Sequence, residues 1–574
     1  MERRTPVLEL ARTDPGVISR TTAVPRLDGW TTGALLVAGL IAMPIVAVIA
    51  LAVAPSDDIW RHLAATVLPH YLATTAVLAA GVGAGTLIVG VGAAWLVTMC
   101  RFPLRGIFEW ALLLPLAVPS YVVAYVYTDI LEYAGPLQAA LRDLFGWTSR
   151  RDYWFPEIRS LGGAIAMMTL VLYPYVYLLA RAAFLEQSVC VLEVSRTLGK
   201  GPWQSFARVA LPLARPAIVI GVTLVVMETL NDFGTVDFFA VATLTTGIYD
   251  VWLNMNSAAG AAQLAALTLG IVALLIAAER WARRKRRFHH TTPRYRALAT
   301  VPLSPARAAL AFLACLAPVV LGFLIPATRL LGFALDHRPG PGTGRFLELA
   351  ANSLLLASIT AGLAVLIGLF LAYGIRVSRN RWLPAAIRFA SIGYAIPGAV
   401  LAVGVVVSLA AWDNAVDAVA RTWFGLSPGL LLSGTVLAMV FGYLVRFMAL
   451  SFGAIEASLG KVTPSMDGAA RTLGHTPFSV LRRVHLPLLR GSLLTAAILV
   501  FVDCMKELPL TLLLRPFNFE TLATNVHQLA SAELLEQSAP GALAIVAAGI
   551  LPVIALSRTI RRSRPGQGAS GSRP

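Results

Sequence analysis

The sequence predicts an all-α membrane protein with about twelve transmembrane helices, arranged as two parallel six-helix repeats. Of the 574 residues, 57% are hydrophobic and only 13% are charged, and the mean hydropathy is +0.72. Soluble domains carry about 25% charged residues, so this composition argues against a water-soluble fold. Apolar runs of about 20 residues, the length that crosses a hydrocarbon core of roughly 30 Å, recur along the whole chain.

The predicted spans follow these apolar runs. The first six lie near residues 30–54, 71–100, 107–131, 161–184, 216–234 and 260–279. The second six lie near residues 306–332, 347–375, 385–411, 429–452, 490–513 and 541–557. They divide the chain into an N-terminal tail, a first module, a basic linker, a second module and a disordered C-terminal tail, with bounds 1–28, 29–280, 281–304, 305–560 and 561–574.

The distribution of charge predicts the orientation. The net charge of +17 could indicate a nucleic-acid binder, but the basic residues cluster at alternate ends of the apolar runs, as the positive-inside rule requires. The basic run from Arg280 to Arg287 and both termini are therefore expected in the cytoplasm, and loop 235–259, without Lys or Arg, outside. The first apolar run is too long for a cleaved signal peptide. The expected partner is a lipid bilayer and not nucleic acid.

Four pairs of short motifs indicate an internal duplication. Ala94-Trp95 and Val118-Pro119 recur as Ala372-Tyr373 and Ile396-Pro397, both at one constant spacing, which we call the first offset. The segments Arg196-Thr-Leu-Gly199 and Leu211-Pro212-Leu213 recur beginning at Arg471 and Leu486, both at a slightly shorter constant spacing, the second offset. Because both halves have the same inferred orientation, we expect a pseudo-twofold axis along the membrane normal.

The strongest motif lies between the fourth and fifth spans of each half. The first copy begins Glu193-Val-Ser-Arg-Thr-Leu-Gly199 and the second Asp467-Gly-Ala-Ala-Arg-Thr-Leu-Gly474, and eleven residues separate each glycine from a Leu-Pro pair. The glycines suit the left-handed residue that ends a helix, and the prolines are expected to bar simple continuation into the next span.

These loops resemble the cytoplasmic "EAA" loop of permeases in binding-protein-dependent ABC importers. The resemblance implies that each loop forms a short coupling helix that docks on a cytoplasmic ATPase subunit. It assigns ATPase coupling to Glu193, Arg196, Gly199, Leu211 and Pro212 in the first copy and to Asp467, Arg471, Gly474, Leu486 and Pro487 in the second. The second copy departs from the family pattern, because Gly468 stands at the glutamate position and Asp467 precedes it; whether Asp467 replaces the glutamate is left open.

The chain lacks the sequence of an ATP-binding loop. Such a loop requires G-x-x-x-x-G-K-[ST] between a strand and a helix, and Gly199-Lys200-Gly201 has neither the Ser/Thr nor the context. We therefore expect no cofactor on this chain, with ATP and Mg²⁺ bound by the separate ATPase. We find no catalytic residues and expect no enzyme activity.

Four acidic residues lie within or at the ends of predicted spans, at positions matched by the second offset. Each half places two carboxylates four residues apart, on one face of a helix: Glu228 with Asp232, and Asp503 with Glu507. An acid in a span costs about 2.5–3.5 kcal/mol and is normally kept facing the bundle interior or water. One hypothesis is that the four acids converge and line a cation path; the other is that they pair with Lys506 or Arg515, or cap broken helix ends.

The residues around these acids resemble fused ferric-iron importer permeases. The similar segments are Met227–Phe239, Leu244–Tyr249, Lys506–Phe517, Thr521–Asn525 and Leu113–Tyr121. The resemblance implies the type I ABC importer permease fold, the bacterial inner membrane, two ATPase subunits, an external or periplasmic binding protein, and ferric iron that is transported without a stably bound metal site. Fused permeases for thiamine or phosphonate compounds look similar, and an ion-coupled secondary transporter is the alternative from another class.

Overall fold

The chain folds into a bundle of helices, which confirms the all-α prediction. The computed structural model describes residues 28–53, 59–186, 202–284, 301–336, 343–378, 380–460 and 462–562. In these residues the strands are two short segments, Cys100–Arg101 and Val301–Pro302, that pair in parallel. The pairing joins the end of the second predicted span to the residues just before the seventh.

The first half contains the helices α1 to α12. Their bounds are α1 Gly29–Ala52, α2 Ile59–Ala65, α3 Leu68–Met99, α4 Arg105–Ala111, α5 Ser120–Leu131, α6 Pro136–Phe145, α7 Leu161–Glu186, α8 Pro202–Ser205, α9 Leu211–Asn231, α10 Gly234–Phe238, α11 Leu244–Tyr249 and α12 Ala258–Arg284. A 3₁₀ turn covers Leu114–Ala117, and π-helical turns cover Phe206–Ala210 and Asp250–Asn254.

The second half contains the helices α13 to α24. Their bounds are α13 Pro305–Val319, α14 Ile325–Asp336, α15 Thr343–Val377, α16 Leu383–Ala390, α17 Gly398–Phe424, α18 Val436–Leu459, α19 Pro464–Thr472, α20 Pro477–Val480, α21 Leu486–Lys506, α22 Pro509–Leu514, α23 Leu522–Ser531 and α24 Leu535–Arg562. A 3₁₀ turn covers Ser391–Ala395, and π-helical turns cover Val320–Leu324 and Leu481–His485.

Ten helical segments of the described chain are long and apolar enough to cross a bilayer, and one bent pair makes an eleventh. The bent pair is the third predicted span, which turns by 89° between Ala117 and Ser120. The ninth predicted span is also interrupted, between Ala395 and Gly398. Each break contains a proline, Pro119 or Pro397, which lacks an N–H and holds the preceding residue in an extended conformation.

The first helix of each half packs against the other half. Helix α1 contacts α15, α16 and α17, where Trp30 stacks on Phe370 with ring centroids 5.5 Å apart. Thr31 Oγ1 and Ser378 Oγ are 2.6 Å apart. In return, the segment from α13 to α14 packs on α3, α4 and α5, where Arg329 Nε lies 2.9 Å from Asp129 Oδ2. The two modules therefore interlock through their first spans.

Matched hydrogen bonds confirm that the halves are parallel repeats. Thr243 and Thr521, which the first offset relates, each form a capping box at the start of a short helix. The first N–H of that helix donates to a hydroxyl of the second span, from Leu244 to Thr75 in one half and from Leu522 to Ser353 in the other. The same offset relates the two hydroxyls, so the whole contact is repeated.

Candidate functional site

The second coupling loop forms the short helix that its sequence predicts. Helix α19 carries Asp467 in its first turn and Arg471 in its last. It ends where Gly474 adopts a left-handed φ of +81°. The N–H of Gly474 donates to Arg471 O and the N–H of His475 to Ala470 O, which is the Schellman pattern at a helix C-terminus.

Asp467 faces the protein, where it is held by the charged side chain of Arg376 and lies beside His485. Its Oδ2 accepts a hydrogen bond of 2.6 Å from Arg376 Nε, and its Oδ1 lies 2.8 Å from His485 Nε2. Arg376, at the end of α15, also donates to Leu459 O and Val462 O at 2.7 and 2.8 Å. One guanidinium therefore ties the coupling helix to two transmembrane helices, so the Asp467 carboxylate is engaged within the chain.

The prolines that follow the coupling motifs do not stop their helices, so that prediction is wrong. Leu211-Pro212 and Leu486-Pro487 lie inside the continuous helical segments Trp203–Asn231 and Pro477–Lys506. A π-helical turn precedes each pair, and the N–H of Leu211 and of Leu486 closes it by bonding five residues back. The wider turn places each proline in the first turn of the next α-helical segment, where its missing N–H is tolerated.

The first coupling motif is only partly described. Glu193, Arg196 and Gly199 lie outside the described residues. Leu211 and Pro212 begin α9, as Leu486 and Pro487 begin α21. Among the described residues, the complete motif is therefore seen only in its second copy.

Two helices end earlier than the sequence predicts, and these ends shape the acidic site. Helix α9 ends at Asn231 and α21 at Lys506, so Asp232 and Glu507 lie just beyond them in extended conformations. They do not share one helix face with Glu228 and Asp503, which corrects the prediction. The cause is local: the carboxylates of Asp232 and Glu507 accept hydrogen bonds from the N–H groups of Thr235 and Leu510 in the next short helix.

The four acids nonetheless converge. They line one cavity of about 100 Å³ between the two halves. Its polar lining, contributed by both halves, comprises Ser120, Tyr121, Tyr175, Glu228, Asn231, Asp232, Tyr394, Arg446, Asp503, Lys506 and Glu507. Among the described residues, no three His, Cys, Asp or Glu side chains are arranged to hold a metal ion.

Each acid has a partner. Lys506 Nζ lies 2.9 Å from Asp503 Oδ1, and Arg446 Nε lies 3.1 Å from Glu507 Oε2. Tyr394 donates to Glu228 across the interface at 3.1 Å. Asp232 accepts from the Ser120 and Thr235 hydroxyls. Pairing and capping, the second hypothesis for these acids, thus occur together with a shared cavity; Arg515 instead pairs with Glu520.

The two helix breaks fill equivalent space with different side chains. In the first half Ser120 donates its hydroxyl to the short carboxylate of Asp232. In the second half Gly398 stands at the position of Ser120, and the longer side chain of Glu507 occupies the room, since a Cβ on Gly398 would lie 2.8 Å from Glu507 Oε1. In the first half a serine is paired with the shorter acid, and in the second half a glycine is paired with the longer acid. A larger residue at one position is thus compensated by a smaller residue at the other.

Sequence reasoning missed Arg446 and Asn231, which join the halves at this cavity. Arg446 Nη1 donates to Asn231 Oδ1 at 2.9 Å although 215 residues separate them. The available signal was an arginine inside the apolar run Val436–Leu459, since charged residues within spans usually face a bundle interior. The sequence around Arg446 does not indicate which residues it contacts.

Comparison with known proteins places the chain in a family. The family model of the binding-protein-dependent transport system inner membrane component matches residues 86–287 and 364–563. The Fe(3+)-transport system permease protein FbpB 2 of Haemophilus influenzae is 25% identical over 495 residues, 86% of this chain and 90% of that protein.

Two further relatives match one module's length. The molybdenum transport system permease protein ModB of Escherichia coli is 28% identical over 34% of this chain and 85% of its own length. The putative 2-aminoethylphosphonate transport system permease protein PhnV of Salmonella typhimurium is 27% identical over 40% of this chain and 81% of its own. With two family matches and many apolar helices, the chain belongs to the binding-protein-dependent transport system inner membrane components, and it is a fused, multi-pass permease and not an enzyme.

Proposed function

We propose that this chain is the membrane permease of an ATP-driven importer for ferric iron, delivered by an external or periplasmic binding protein. The observation that carries the proposal is the charge of the shared cavity. Four carboxylates and two cationic side chains line it, which gives a formal charge of −2 when all are ionised. A hard cation favours carboxylate oxygens, whereas molybdate, sulfate or a phosphonate would meet repulsion.

The relatives support the same cargo. The match to the Fe(3+)-transport permease runs through both modules, whereas the molybdenum and phosphonate permeases each align with about one. The cation would be attracted transiently by the four acids, Glu228, Asp232, Asp503 and Glu507. During its passage it would replace the side chains that these acids now contact. Thiamine or a phosphonate compound stays the alternative cargo.

The partners follow from the coupling loops. We propose that two cytoplasmic ATPase subunits bind this chain, one at each loop, and that ATP and Mg²⁺ are held by those subunits and not here. Both termini would then be cytoplasmic, with modules at 29–280 and 305–560. In the first loop Glu193, Arg196, Gly199, Leu211 and Pro212 would transmit movement; in the second, Asp467, Arg471, Gly474, Leu486 and Pro487.

Reconstitution tests the proposal. The permease, its ATPase and candidate binding proteins are placed in liposomes, and ATP-dependent uptake of radioactive ferric iron is compared with uptake of molybdate, thiamine and a phosphonate. We expect iron uptake that vanadate inhibits. A Glu228→Gln/Glu507→Gln double variant should lose most of it, while Asp417→Asn, which removes an acid far from the cavity, serves as the control. Full uptake by the double variant would reject the pathway role, and vanadate-resistant uptake would favour a secondary transporter.

A further inference from the structure

Arg446 joins elements from both modules at the cavity. Its side chain on α18 is only 4% exposed. Nη1 donates to Asn231 Oδ1 at 2.9 Å and lies 3.4 Å from Ile396 O, while Nε lies 3.1 Å from Glu507 Oε2. Of these groups only Asn231 belongs to the first module, so the arginine spans the interface.

Asn231 receives a second donor from the opposite module. The N–H of Gly398 donates to the same Oδ1 at 2.7 Å. One amide oxygen at the end of α9 therefore accepts from the start of α17 and from α18. Loss of these two hydrogen bonds would allow the end of α9 to move away from α17 and α18.

The fold itself does not require the arginine. In the first half a Cβ on Gly90 would approach Tyr177 N at 3.0 Å, and in the second a Cβ on Gly368 would approach Phe452 N at 3.1 Å. The two glycines are equivalent by the first offset, so the residues that they contact, Tyr177 on α7 and Phe452 on α18, are equivalent as well. These two residues are related by the second offset, which therefore relates α7 to α18. By this offset Val171 stands where Arg446 does, and it lines the same cavity. The first module thus builds the same break with an apolar side chain.

We propose that Arg446 is a latch: it holds the modules together while the pore is closed and releases Asn231 when they separate. The inference deepens the proposed function, since a cation passing the four acids would compete with the guanidinium for Glu507. When the junction is broken, a buried guanidinium that has lost a partner favours closing again.

The test measures how often the cavity opens. The full permease with its ATPase is placed in nanodiscs, so that a charged thiol reagent reaches both faces. Leu116→Cys, at the cavity wall, is the reporter. The background replaces the natural cysteines Cys100, Cys190, Cys315 and Cys504 by alanine. The rate of labelling follows the population of the open state.

Arg446→Gln and Asn231→Ala should each raise the labelling rate, about tenfold for one charge-assisted hydrogen bond. The double variant should label no faster than the faster of the two single variants, because each change already removes the contact between Arg446 and Asn231. Asn231→Asp keeps an acceptor for Arg446 and should label no faster than the parent. Arg181→Gln is the matched control, since it removes the buried guanidinium of an ion pair with the half-buried Glu109, 2.7 Å apart, within one module.

Labelling of Arg446→Gln and Asn231→Ala at the rate of Arg181→Gln would overturn the latch. Rates that multiply in the double variant would also overturn it, because the two residues would then act separately. The assay contains no iron and no binding protein, so its outcome is independent of the cargo. Loss of iron uptake by the parent protein would reject the proposed function and leave the labelling result standing.

Discussion

Replacing Gly398 with alanine should destabilise the permease, because the space for a methyl group is already taken. The new Cβ would lie 2.8 Å from Glu507 Oε1, 3.0 Å from Arg446 Nη1 and 3.2 Å from Leu510 N. The first two are side-chain atoms of a buried ion pair and the third is backbone, so relief requires the pair to move. Overpacking of this kind costs about 1–3 kcal/mol.

Gly362→Ala is the matched control in the same half. It lies inside α15, and a Cβ there meets nothing within 4 Å. Alanine in a helix interior is favoured over glycine by about 1 kcal/mol, so this variant should be as stable as the parent or more so. Thermal unfolding of the purified protein in detergent, followed by tryptophan fluorescence, gives both comparisons.

A double variant tests whether volume is the cause. Gly398→Ser with Glu507→Asp reproduces in the second half the pairing of Ser120 with Asp232. Serine alone should crowd Glu507, and aspartate alone should leave a gap beside Arg446. Together they should recover most of the stability that either single change loses. If the double variant loses as much stability as the sum of the two single losses, the fit between residue sizes does not explain why position 398 is a glycine.

Three further outcomes are expected. Arg376→Gln should leave ATP hydrolysis largely intact but lower iron uptake per ATP about tenfold or more, because α19 loses charge-assisted bonds to its anchor; an unchanged ratio would contradict this. Gly474→Ala should destabilise α19 by about 1–2 kcal/mol, since φ is +81° there, whereas Gly468→Ala, in open space on the same helix, should not; hydrogen exchange of α19 decides between them. Glu520 is partly buried, but hydrogen bonds from Arg515 and Arg345 hold its pKa below the ordinary 4.5, so the stability lost in Glu520→Gln should be constant above about pH 4.5 and vanish only as the pH falls through the lowered pKa; a loss that disappears near neutral pH would be inconsistent with this.

The sequence predicted the features that depend on local chemistry. The left-handed end of the short helix α19 was predicted from Gly474. The convergence of the four acids was predicted from the repeat, because equivalent residues that face the bundle interior in both modules lie on opposite sides of the pseudo-twofold axis.

The remaining features depend on contacts that spacing does not reveal. Hydropathy averaged over a span does not register a single proline, so the helix breaks at Pro119 and Pro397 were missed. The ends of α9 and α21 depend on whether a carboxylate turns to cap the next helix, and sequence alone does not decide this. The junction of Arg446 with Asn231 joins residues 215 positions apart, and it becomes visible only when both modules are folded.

The packing of the first span of each half against the other half constrains the order in which the chain assembles. Thr31 and its partner Ser378 are separated by 347 positions. During synthesis α1 therefore enters the bilayer long before the ribosome has produced the surface that covers Trp30 and Thr31. Until α15 is inserted, that face of α1 is open to lipid or to insertion factors. Assembly of the first half is consequently completed only when the second half has been inserted.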